Sequence, residues 1–258
     1  MKQNYTLGRG EIHFGQFKTG TQVPRGERYF GNTPEYGITA EQENLDHYSS
    51  DEGVRKKDES VLLQLDYAGN LTTDHISPEN MAIFFLGESM IQTTVAATAQ
   101  AFSFEDIEQG MTYQLGTSDA NPSGVRQVSN VALTGTGETA EAGVDYVLDP
   151  VLARITILEG STKLANGSTL AGTYDVDASS RERVISKATT VEGSLRFIAK
   201  NPTGKNIDYF MPWVKITPNG DFALKSDEWQ QLPFTLEILK KGSLEAIYCD
   251  GRPYVPAP

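Results

Sequence analysis

Catalysis and metal binding need side chains of particular types brought together, and this sequence offers few of them at telling spacings. The three histidines, His13, His47 and His75, lie far apart, and none stands in a metal-ligand pattern. Each is expected at a surface or a turn. The one cysteine, Cys249, follows Ile247-Tyr248 with no His or Asn pattern beside it. A buried structural thiol is expected there rather than a nucleophile, and an internal disulfide is excluded. Gly8-Arg9-Gly10 and Gly135-Thr136-Gly137 begin like phosphate-binding loops, but neither reaches a third glycine or a Gly-Lys-Ser/Thr ending. Asp119-Ala120-Asn121 and Asp175-Val176-Asp177 begin like calcium loops, but each lacks the following glycine and the distal glutamate. No spacing singles out a carboxylate pair of the kind that hydrolyses glycosides. The expectation is a protein without catalytic residues, cofactor or metal, whose function resides in its surface.

The balance of charge narrows what that surface meets. Net charge is −12, and its distribution is uneven. Residues 58–125 contain no Lys or Arg, yet hold ten acids: Asp58, Glu59, Asp66, Asp74, Glu79, Glu88, Glu105, Asp106, Glu108 and Asp119. One reading is a solvated acidic face that aids solubility; the other is a surface that keeps a polyanion at a distance. On either reading this segment cannot supply a patch for nucleic-acid phosphates. The first eight residues lack the apolar run of a secretory signal, and no apolar stretch approaches the ~20 residues of a membrane helix. A single cysteine fits a reducing compartment, so a soluble cytoplasmic product is expected.

The elements that would position such a surface read as strands. With 24 Gly and 12 Pro, the chain is rich in turns. The first sixty residues alternate short apolar pieces with turn formers, and residues 44–60 (NLDHYSSDEGVRKKDES) predict a long exposed hairpin or loop. Val61, Leu63, Leu65 and Tyr67 then fall on one face of a strand. Ser77, Pro78 and Glu79 supply an N-cap, a first helical residue and a favourable charge for one short helix. Met81, Phe84 and Phe85 form its expected apolar face and Gly87 its stop. Residues 91–102 predict a single alternating strand. Further strands are expected at 125–133, 144–148, 154–158, 169–174, 191–199, 206–216 and 232–239. Asp149-Pro150, Asn166-Gly167 and Pro218-Asn219-Gly220 form turns between them, and Trp229 and Phe234 serve as core anchors. This pattern predicts a mainly-β sandwich or barrel with one short helix.

Several segments carry a resemblance. They are Gly10-Glu11-Ile12-His13-Phe14-Gly15, then Arg28-Tyr29-Phe30-Gly31-Asn32-Thr33-Pro34, then the run from Asn44-Leu45-Asp46-His47-Tyr48-Ser49-Ser50-Asp51-Glu52-Gly53 to Val54-Arg55-Lys56-Lys57-Asp58. Leu65-Asp66-Tyr67, Asp74-His75-Ile76-Ser77-Pro78-Glu79-Asn80-Met81-Ala82 and Trp229-Gln230-Gln231-Leu232-Pro233-Phe234 complete them. Together they resemble the major tail tube proteins of long-tailed, non-contractile bacteriophages (siphophages). The resemblance assigns residues 1–111 and 188–258 to a tail-tube β domain and leaves 112–187 as a β-rich, outward-facing elaboration. It implies a β-sandwich or half-barrel with a flanking α-helix, closing into hexameric rings that stack into a tube. In that family the loop matching 44–60 reaches the adjacent ring. Asp46, His47, Asp51, Glu52, Arg55, Lys56, Lys57 and Asp58 are then the expected inter-ring residues, with charges that suit pairing between copies. Asp66, Glu88, Glu105, Asp106 and Glu108 are candidate lumen acids that let DNA pass without specific binding.

The resemblance also implies the tape measure, tail terminator and tail tip proteins as partners, no membrane, and a place in the virion tail after synthesis in the host bacterial cytoplasm. The competing expectation is a β-sandwich carbohydrate-binding or adhesin-type module, for which Tyr113, Tyr146 and Tyr174 are candidate exposed aromatics. An enzyme would need a deep pocket with converging polar groups.

Overall fold

Alternation of apolar and polar residues builds most of this chain into strands, and a computed structural model describes residues 5–51, 53–135 and 137–252. It is mainly β with one short helix, as the sequence predicts. Two compact units divide it: residues 1–89 with 184–258, and residues 90–183.

In chain order the first unit opens with β1 (Gly10–Gln16), β2 (Arg28–Tyr29), β3 (Glu35–Ser49), β4 (Lys56–Thr73), α1 (Pro78–Phe84) and β5 (Glu88–Thr94), within which the chain leaves it. The second unit holds β6 (Ala97–Ile107), β7 (Thr112–Gln114), β8 (Val128–Gly135), β9 (Glu138–Thr139), β10 (Tyr146–Asp149), β11 (Arg154–Ile157) and β12 (Ser168–Val176). The chain returns through β13 (Ser179–Ile185), which pairs with β5, and ends with β14 (Val191–Ala199), β15 (Ile207–Pro218), β16 (Leu232–Ile238) and β17 (Tyr248–Gly251).

One antiparallel sheet organises the first unit, in the order β2-β1-β14-β15-β16-β4-β3, with β17 pairing the free start of β15. Its buried face follows the period of two: Leu232, Phe234, Leu236 and Ile238 of β16 are all buried and join Ile12, Phe14, Leu195, Val214 and Ile216 in one core. The helix packs across that face, with Phe84 edge-on to Phe234 at 5.9 Å. A seven-residue helix is too short to persist alone, so this packing holds it.

The caps of α1 are built as the sequence predicts at one end and differently at the other. Ser77 Oγ accepts from Asn80 N, and Pro78 takes the first helical position. At the far end Leu86, with φ +50°, takes the left-handed position that Gly87 was expected to provide. Leu86 N donates to Ile83 O and Gly87 N to Ala82 O, a paired closure of the last turn. Gly87 is needed for space instead, because a Cβ there would overlap the Ile185 carbonyl oxygen. The helix buries Asn80, Ala82 and Ile83, while Phe85 of the expected apolar face stays exposed. Asn80 is buried because all its polar atoms are used: Nδ2 donates to Phe30 O and His75 O, and Oδ1 accepts from Arg28 Nη2.

The second unit has its own core, in which Ile107, Leu115, Leu133, Ile155, Ile157, Leu164 and Leu170 are fully buried. Its sheets run β6-β12-β8-β9 and β10-β11-β7. The hairpin around Asp149-Pro150 forms as β10 and β11, and Asn166-Gly167 precedes β12 as expected.

Several sequence expectations are corrected. Residues 91–102 form no continuous strand; β5 ends at Thr94, β6 begins at Ala97, and β6 pairs with β12. That pairing places residues 97–107 in the second unit, which starts at 90 where the sequence reading began its elaboration at 112. Trp229, expected as a core anchor, is 89% exposed, and β16 begins only at Leu232. Cys249 is exposed on β17 rather than buried. Tyr146 and Tyr174, proposed as exposed aromatics, are buried in the second core, and Tyr113 packs partly against it.

Gly87→Ala forces the Ile185 backbone aside at the end of α1, and a lowering of unfolding free energy by about 1–3 kcal/mol is expected in chemical denaturation. The same change at Gly53, where an added Cβ meets nothing, leaves stability unaltered.

Candidate assembly interface

The longest antiparallel pair in the chain is β3 with β4, running from Glu35↔Thr72 to Ser49↔Lys56. On its other side β4 is covered by β16 only from Thr73 down to Tyr67. From Asp66 to Lys56 it has no second partner among the described residues, and β3 is the terminal strand of the sheet along its whole length. Residues 41–49 and 56–66 therefore leave the sheet as a two-stranded ribbon with both outer edges unpaired. The nine β3 residues in the ribbon, at about 3.3 Å each, carry its tip roughly 30 Å outward. Residues 44–60, read from sequence as an exposed hairpin or loop, are its outer part.

Two register shifts shape the ribbon, one between Glu43 and Asn44 and one between His47 and Tyr48. Each places an extra β4 residue, Leu63 and Asp58, opposite the partner strand, and such bulges increase local twist. Every β4 residue from Lys56 to Asp66 is exposed, so Leu62 and Leu63 are both solvent-facing although they are neighbours in sequence. Leu45, Val61, Leu62, Leu63 and Leu65 are each between 46% and 61% exposed. Five large apolar residues gathered on the two faces of one projecting ribbon are unlike the scattered exposure that folded surfaces tolerate.

The charged residues near the tip are tied mainly to each other. Lys57 Nζ lies 2.6 Å from Asp46 Oδ1, which also accepts from Ser60 Oγ at 2.7 Å. The Lys57 ammonium, then the Ser60 hydroxyl, hold the Asp46 carboxyl below its ordinary value. His47 Nδ1 and Asp58 Oδ1 are 2.6 Å apart, and the Arg55 guanidinium lies over the Tyr48 ring at 5.5 Å. Asp51 is exposed in the turn, Lys56 closes the last β3–β4 pair, and Glu52 lies outside the described residues. Asp46, His47, Arg55, Lys57 and Asp58 thus already have partners on their own hairpin. The apolar group, rather than these charges, is what the ribbon leaves uncovered. Sequence reading placed Val61, Leu63 and Leu65 on a strand face; the Leu62-Leu63 doublet was the signal that the alternation breaks.

The candidate lumen acids fall in different places. Asp66 sits at the base of the ribbon, exposed, accepting from Gln64 Nε2. Glu88 pairs with Lys187 at 2.6 Å in the same unit. Glu105, Asp106 and Glu108 are exposed on or just after β6 in the second unit.

The first unit also carries a groove of about 780 Å³ lined by Tyr36, Phe197 and Tyr209, with Arg9, Asn201 and Lys205 at its edge. Tyr36 donates to Met211 Sδ at 3.3 Å, and burial pushes its phenol well above the usual tyrosine range. The groove gathers no pair of groups suited to acid–base or nucleophilic chemistry, and no cluster of metal ligands occurs among the described residues.

Residues 5–246 match the model of the family described as Protein of unknown function UCP028589. No curated protein matches the chain.

Because its folded pKa is depressed, Asp46 contributes stability that is complete above the ordinary carboxylate value of 3.8 and is lost as pH falls through the lowered folded value. Protection of the amides of residues 45–49 and 56–60, taken relative to their intrinsic exchange rates, is expected to fall as pH drops below the ordinary carboxylate value, ahead of the sheet core. In Asp46→Asn that acid-dependent step disappears.

Proposed function

We propose that this chain, which belongs to the family described as Protein of unknown function UCP028589, is a structural subunit that assembles with copies of itself into the tail tube of a bacteriophage. The observation that supports this reading is the ribbon. A two-stranded hairpin is marginal in water by itself, and exposed strand edges invite pairing with another chain. A ribbon with two open edges and five large apolar residues gains most by lying against a partner surface. A surface repeated on every copy makes a head-to-tail contact that propagates into an open stack.

On this reading hexameric rings stack through the ribbons, and the tube forms part of the virion after synthesis in the bacterial cytoplasm. Another component sets its length, in keeping with the tape measure, terminator and tip proteins implied by the family resemblance. The role of the acids is repulsive: a channel wall carrying Asp66, Glu88, Glu105, Asp106 or Glu108 lets the genome slide without binding. No covalent step is involved.

Purified protein at high concentration is expected to form rings or tubes visible by negative-stain electron microscopy. Leu62→Ser with Leu63→Ser, which changes only exposed side chains, is expected to abolish them while leaving circular dichroism and the unfolding midpoint unchanged. Persistent monomers of the unaltered chain under all conditions contradict the proposal.

A further inference from the structure

Residues 90–183 contain only five Lys and Arg against twelve Asp and Glu, yet three of the five gather at one place. Arg181 and Arg183 lie two apart on β13 and so share a face of that strand. Arg126 joins them from the segment between β7 and β8. Residues 121–124 draw the three together. Arg181 Nη2 and Arg183 Nη2 both donate to the same Asn121 oxygen, and Arg181 Nη2 also donates to Gly124 O at 2.9 Å. Arg183 Nη2 donates to Ser123 Oγ and Arg126 Nη1 to Ser123 O, each at 2.8 Å.

The platform beneath them is closely packed. Gly124 is buried at φ +69° against Leu115 O and the Gln114 side chain, a position that no residue with a Cβ could take unchanged. Backbone bonds join Val125 N to Leu115 O and Gly124 N to Asn121 O.

Every acceptor recorded for these guanidiniums is neutral: amide oxygens of Asn121 and Gln92, a serine hydroxyl and backbone carbonyls. None of the three takes part in an ion pair among the described residues. Arg181 Nη1 is buried and has no hydrogen-bond partner among the described residues. Burial, then the charges of Arg126 and Arg183, lower the affinity of Arg181 for its proton. Three like charges held together on one frame, in a unit otherwise rich in acids, have no carboxylate partner among the described residues. Buried guanidinium N–H groups are normally satisfied, and a forked donor is matched by an oxyanion.

We propose that Arg126, Arg181 and Arg183 form a binding site for a phosphate-type dianion. The three guanidiniums keep N–H donors that their platform contacts do not use, and a tetrahedral dianion beside them supplies both the acceptor oxygens and the negative charge that the neutral platform lacks. A carboxylate offers two oxygens and one charge, and so neutralises less of the cluster. This site does not depend on the assembly reading above; it lies in the second unit, away from the ribbon in sequence and in chemistry.

The test is calorimetric titration of the full-length chain with inorganic phosphate in chloride buffer at constant ionic strength, with acetate and dimethyl phosphate as controls. One saturable site per chain is expected, weakened about tenfold or more in Arg126→Gln, since charge-assisted hydrogen bonds are the strong ones. Arg126 donates within the cluster only to nearby backbone carbonyls, so this variant is expected to stay folded. Arg183→Lys, which keeps the charge but loses the fork, is expected to fall between the two. Acetate and dimethyl phosphate, each a monoanion, bind more weakly. Absence of saturable phosphate binding, equal binding by acetate, or unchanged affinity in folded Arg126→Gln overturns the assignment.

Discussion

The structure turns on a mismatch of strand lengths. β4 is 18 residues long, but the strand that covers its inner side, β16, is only seven. Six residues of β4, Tyr67 to Thr72, are therefore locked into the sheet by two neighbours, while Lys56 to Asp66 have β3 alone. In most sheets such an overhang would fray, because a lone pair of strands buries little apolar surface against the entropy of ordering it. Here it keeps a paired register to its tip and places its large apolar residues along the overhang. The feature that looks weakest by itself is the one that most favours a second molecule.

Electrostatics adjusts this arrangement more than it supports it. The pairs Asp46–Lys57 and His47–Asp58 are exposed, and exposed ion pairs contribute little net stability. They hold the shape of the tip rather than bind it to the body. Elsewhere the negative charge is spread over both units, and positive charge collects at Arg126, Arg181 and Arg183. The body itself rests on two apolar cores and on saturated polar groups such as Asn80, whose buried amide joins α1 to the segment ending at Phe30.

Much of the fold was legible in the residues. The Ser77-Pro78 helix start, the Asn166-Gly167 turn, the Asp149-Pro150 hairpin and the alternation in β14 and β16 all depend on local chemistry, and each forms where that chemistry puts it. Expectations failed where the deciding contact is distant in sequence. β6 goes with β12, some seventy residues onward, so the boundary near 111 could not be read locally. Trp229 and Phe234 read as core anchors at the entry to a packed strand, but β16 begins only at Leu232, and of the two Phe234 alone is buried. The positions of the hairpin charges were legible, but their mutual pairing was not, because it depends on a register set by two bulges. The arginine cluster left no motif, since Arg126 is far from β13 in sequence.

The central claim is that the ribbon of residues 41–49 and 56–66 completes its structure only against another copy. Hydrogen exchange of backbone amides, followed residue by residue in dilute protein and in sedimented assemblies, tests it most directly. The account predicts rapid exchange of the outer-edge amides of residues 41–49 and 56–66 in dilute protein and strong protection in the assembled state, with β14, β15 and β16 protected in both. Protection of the ribbon equal to that of β16 in the dilute protein, or no gain on assembly, contradicts it.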